Sequence, residues 1–153
     1  MKLFNLLLFM LLTTCVSAQT ASTTWHKFLS DFKKLEQEYN NYYPAKDYQK
    51  AATVLNAISA KMGSLQLSEK EKQEYQTTIS EINANINYNL ACLQSLLNQK
   101  KQAVSSFEKA ILWGYTDYRN ALNDHDLDNI RKESKFVKAL VQLKQYDKLT
   151  LLQ

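Results

Sequence analysis

The chain of 153 residues holds only two glycines and one proline. With so few breakers, a protein built from many tight β-turns is excluded. The abundance of Leu, Lys, Gln and Ala predicts an all-α fold instead. Cysteine is scarce too, with two residues, Cys15 and Cys92. The two histidines, His26 and His125, make no ligand pattern for zinc. An excess of one charge is also missing: 19 Lys and Arg face 15 Asp and Glu, a net charge of +4 spread along the chain. Nucleic-acid binding would want cations clustered on one face, so it is not expected. The length suits one domain.

The one long apolar run, Leu3–Leu12, is too short to cross a bilayer as a helix. Lys2 precedes it and the small-residue sequence Val16-Ser17-Ala18 follows it. That order predicts a signal peptide over residues 1–18 and an exported chain over 19–153, periplasmic or secreted. Leu12-Thr13-Thr14-Cys15 is similar to a bacterial lipobox, although Thr14 stands where Gly, Ala or Ser is usual. The alternative is therefore an outer-membrane lipoprotein, touching the membrane only through an acylated Cys15. In the soluble case Cys92 is left alone and packing must supply the stability. Beside Ala91 on a helix, Cys92 is expected to be a small buried thiol.

Helical spacing organises the rest. Trp25, Phe28, Leu29, Phe32, Leu35 and Tyr39 recur every three or four residues after a capping Thr24. Pro44 ends that helix. A second helix is expected over 46–62, with Ala51, Ala52, Leu55 and Ile58 on its apolar side and Gly63 as its stop. Ser68 and Glu71 form a capping box. From there one stripe, Tyr75, Ile79, Ile82, Ile86, Leu90, Leu93 and Leu97, predicts a helix roughly 45 Å long. Its first half is expected on the N-terminal hairpin and its second half on a fourth helix over 101–113, closed by Gly114. Short helical turns over 117–122 and 126–131 precede a last helix marked by Phe136, Leu140 and Leu143.

Leu90 and Ala91 pair a large residue with a small one, and Ala103 follows Ala91 by twelve. Phe107 and Ala110 sit four and seven beyond Ala103. In this the stretch from Tyr88 resembles a tetratricopeptide repeat, a unit of about 34 residues with small residues where two helices cross. Asn87, Gln94 and Tyr115 depart from that pattern, standing where the repeat favours Trp, Tyr and Pro. The segment 124–136, DHDLDNIRKESKF, is similar to one that follows the last repeat in bacterial proteins of this kind, with His125 in place of Pro. The resemblance implies a short α-solenoid. It would comprise a degenerate first hairpin (24–62), a long helix with a second hairpin (68–114) and a C-terminal cap (115–153). It also implies a protein-interaction module of the bacterial cell envelope that holds a peptide or helix in a concave face.

On that inner face the resemblance places Asn85, Tyr88, Asn89, Cys92 and Ser95. Asn89 matches a position where an amide bonds a bound peptide's backbone, since it donates and accepts at once. The competing reading is that Asn89 bonds within its own helices and Tyr88 is core. The aromatics Tyr39, Tyr42, Tyr43 and Tyr48 surround the first hairpin's turn and are expected to pack it. The alternating carboxylates Asp124, Asp126 and Asp128 have the look of a calcium loop. Asn129 and Lys135 stand where that loop needs Gly and Glu, so helix capping is the expectation and no metal is assigned. Leu127 and Ile130 should fill the core, and Arg131 should meet a nearby acid. No base–nucleophile pair stands out, so neither an enzyme nor a cofactor is expected. A pocket joining His125, Asp126 and Cys92 would reopen that question.

Overall fold

The computed structural model describes residues 23–150. The expected signal peptide and Cys15 lie outside the described residues. All regular elements described are helical: α1 (Thr23–Tyr42), α2 (Tyr48–Gly63), α3 (Glu69–Leu96), α4 (Lys100–Leu112), α5 (Tyr118–Asn123), a 3₁₀ turn (His125–Ile130) and α6 (Ser134–Thr150). None is long and apolar enough to cross a membrane.

The ends follow from local chemistry. Helix α1 stops two residues before Pro44, and Lys46 adopts φ 59° to turn the chain. Asp47 accepts from the Lys50 amide, so α2 starts two residues later than its apolar spacing predicts. At α3 the capping box is complete: Ser68 Oγ accepts from the Glu71 amide and Glu71 accepts from the Ser68 amide. Gly114 turns at φ 98°, a conformation that favours glycine. Gly63 is instead the last residue of α2 and Ser64 forms the cap. The turn at 125–130 is 3₁₀ rather than α, begun by Asp124 accepting from the Asp126 amide.

Two cores share α3. The first gathers Trp25, Phe28, Phe32 and Tyr39 of α1 with Ala51, Leu55 and Ile58 of α2. Trp25 also stacks on Tyr75 at 4.7 Å, tying α1 to the first part of α3. The second joins Tyr88, Ala91 and Cys92 of α3 to Phe107 of α4, Leu127 and Ile130 of the turn, and Phe136 and Leu143 of α6. Ala91, Ala103 and Ala110 are wholly buried at the α3–α4 crossing, where a larger side chain would push the helices apart. The first half of α3 packs on the N-terminal hairpin as expected, through Tyr75 and Ile79, but the second half is split between two faces rather than given to α4 alone. Ile82, Ile86, Leu90 and Leu93 serve the first core while Tyr88, Ala91 and Cys92 serve the second. The reason is that residues 82–95 are covered on nearly every side, so one helix feeds both cores at the same height.

Candidate functional site

The polar groups that meet in space come from α3, α5, the 3₁₀ turn and the residue just past α1. Tyr88 Oη donates to Asp124 Oδ2 at 2.8 Å, and Cys92 Sγ lies 3.8 Å from the same oxygen. Tyr43 Oη donates to Asp126 Oδ2 from the far end of the first hairpin. Asn120 Nδ2 donates to Tyr88 Oη at 2.8 Å and to Tyr115 Oη at 2.9 Å, and the Tyr88 and Tyr115 rings stack at 4.2 Å. Arg131 holds the segment from behind, with Nη2 on the Asp124 carbonyl at 2.6 Å and Nε on Asp128 at 2.6 Å. Arg131 thus meets the acid expected of it, and that hydrogen bond holds Asp128 below the usual carboxylate range.

Electrostatics keep the hydrogens where they are. Burial, reinforced by the carboxylates Asp124 and Asp126, pushes the Cys92 thiol well up. The Tyr88 and Tyr43 phenols are pushed up as well, first by burial. The cluster therefore holds neutral donors around two carboxylates. Cys92 is the small buried thiol the sequence predicts, and its surroundings oppose thiolate formation.

Ligand atoms of Cys92, Asp124 and Asp126 all lie within 4.8 Å of one another. His125 does not join them: it is 93% exposed and pairs with Asp128 at 3.1 Å. The three-residue pocket that would suggest catalysis is thus assembled only in part. Both carboxylates already accept tyrosine hydroxyls and the thiol retains its proton, so we assign no ion to the cluster. Asp124 caps the turn as expected, whereas Asp126 spends its carboxylate on Tyr43.

The five inner-face residues stay on one side of α3 but have different surroundings. Asn85 is half-buried and its carbonyl accepts from Asn89 Nδ2 at 2.7 Å, a bond within the helix. Tyr88 is buried in the second core while its hydroxyl reaches Asp124. Ser95 is fully buried, with its carbonyl accepting from Asn129 Nδ2 at 2.8 Å. The 3₁₀ turn therefore lies over the Tyr88–Ser95 end, and Asn85 remains accessible. A gap of about 10 Å³ beside Asn89, Glu36 and Tyr39 has room for about one water and no more. Burial there raises the Glu36 carboxyl above its ordinary value.

Four partners escaped sequence reasoning: Tyr43 with Asp126, and Asn120 with Tyr88. The first pair is 83 residues apart and the second 32, and no local spacing signals either.

No family model matches the chain. No solved structure matches it. Among curated proteins it is similar to a chloroplastic protein of Arabidopsis thaliana, with 40% identity over 60 residues. That stretch is 39% of this chain and 17% of the relative, so the chain matches under a fifth of that protein's length.

Proposed function

We propose that this protein is an exported protein-interaction module of the tetratricopeptide-repeat type, working in a bacterial cell envelope. The observation that carries this reading is a polar face assembled from three regions distant in sequence. Tyr43, Asp124 and Asp126 are partly exposed where they meet the Tyr88 and Cys92 side of α3, and Asn85 is partly exposed nearly one turn earlier on that helix. A peptide or helix of the partner would lie along α3 from Asn85 toward the turn. Side-chain amides and carboxylates would meet its backbone donors and acceptors. The buried alanines at the α3–α4 crossing support the repeat reading, since the repeat places small residues there. A single buried, protonated thiol gives little basis for covalent catalysis, so a binding role is preferred to an enzyme.

The test is partner capture by protein purified from its native envelope, combined with intact mass. Asn85→Arg is expected to weaken capture by at least about tenfold, because a long cation on the proposed face blocks close approach. Lys101→Glu, on an exposed part of α4, should leave it unchanged. Capture indifferent to Asn85→Arg would reject this face. A mass beginning at Gln19 supports soluble export, and an acylated Cys15 supports the lipid-anchored alternative.

A further inference from the structure

A second surface shares no residue with the polar face. Trp113 sits at the end of α4, and its side chain lines an open trough with the first turns of α3. The trough encloses about 540 Å³. Its chemistry is distinctive. The Trp113 indole is 42% exposed and supplies one flat apolar surface. Around it stand two amides, Gln73 and Gln76, and the Ser80 hydroxyl. The charges at the far end, Glu69 and Lys72, neutralise each other at 2.6 Å.

Those features restrict the ligand. A protein partner usually brings an apolar centre of several side chains, and the apolar lining here comes from only two, Trp113 and Ile79. A nucleic acid needs unpaired cations, and the lysine here is paired. A long apolar ligand would leave the amides without partners. What fits one ring face amid neutral donors and acceptors is a molecule with flat C–H faces and a rim of hydroxyls. We propose that this trough binds a neutral oligosaccharide, with one pyranose ring stacked on Trp113. Gln73, Gln76 and Ser80 exchange hydrogen bonds with its hydroxyls. The α3 repeat stripe alone does not require this; it is the length of α3 beyond the end of α4 that provides the floor.

Indole emission tests the assignment directly. The other tryptophan of the described residues, Trp25, is 4% exposed and stacked on Tyr75, so ligand contact reports on Trp113. Titration with maltotriose and chitotriose is expected to give a saturable blue shift with at least one of them. Calorimetry should show the binding lost in Trp113→Ala and weakened about fivefold or more in Gln76→Ala, where the indole remains. Far-UV circular dichroism and Tm confirm that both variants are folded; each changes an exposed side chain. No saturable change with either sugar at millimolar concentration would overturn the proposal. So would binding that survives Trp113→Ala, or an equal response to trialanine, which would mark a peptide site.

Discussion

The core between α1, α2 and α3 is filled with rings and branched chains, whereas the core between α3 and α6 is built on alanines and bordered by polar groups. In the first, Trp25, Phe28 and Phe32 run along one helix with ring centroids 5.4 and 6.0 Å apart. In the second, Ala91, Ala103, Ala110 and Ala121 let backbones approach, and Phe107 and Phe136 fill the remaining space with centroids 4.7 Å apart. The difference teaches that one helix can serve two kinds of packing. Rings and branched chains fill most of the first core, with Ala51 and Ala52 of α2 as its small members. Small faces bring α4 close and demand a fixed crossing. Precision near Tyr88 and Cys92 is what a polar cluster needs, because hydrogen bonds weaken steeply with angle and distance.

The contrast breaks most visibly at Phe107. Phe107→Ala removes a fully buried ring from the alanine-based core and is expected to cost about 3–5 kcal/mol in urea unfolding. A loss under about 1 kcal/mol would mean that this core repacks freely.

Alkali should act on both cores next, since burial raises Tyr39 of the first core as well as Tyr88 and Cys92 of the second. Cys92 and Tyr88 have ordinary values of 9.0 and 10.0, and folding raises both, first through burial. The unfolded chain therefore releases these protons first, so stability is complete below about pH 9 and falls as pH rises beyond it. Tyr88→Phe should flatten that decline, measured as Tm against pH. A decline of the same steepness in the variant would place the linkage elsewhere.

Tyr43→Phe sharpens the comparison at the seam, since Tyr43 follows directly on α1 while Asp126 borders the second core. Loss of a hydrogen bond to a charged group should cost about 1.5–3 kcal/mol. Amide exchange should quicken at residues 124–131 more than in α2; uniform quickening would show that the seam does not hold the turn.

The smallest effect is expected at the start of α3. Ser68→Ala removes an exposed cap and should cost about 1 kcal/mol, shared by both cores because α3 serves both. No change in Tm would mean that the first turn frays without consequence.

Much of the helical order was legible because its signals are local. Apolar residues three and four apart marked each long helix, and the Ser68–Glu71 box marked the start of α3 to the residue. Leu127 and Ile130 filled the core as their pattern suggested. The shift of α2 to Tyr48 was less legible, because the cap at Asp47 competes with an apolar pattern that starts earlier. At the candidate site, the burial of Cys92 could be anticipated from its neighbour Ala91, but its partners could not.

By itself the sequence determined which segments are helical, where several of them begin, and which residues are small enough for close crossing. Those are properties of neighbours along the chain, set by backbone hydrogen bonds and side-chain volume. Only the tertiary structure decided that Tyr43 meets Asp126 and that the 3₁₀ turn lies over Tyr88 and Ser95. It also decided that Trp113 borders the first turns of α3. Such meetings depend on how α1, α3 and the turn are angled once both cores are packed, and that geometry is a property of the whole fold.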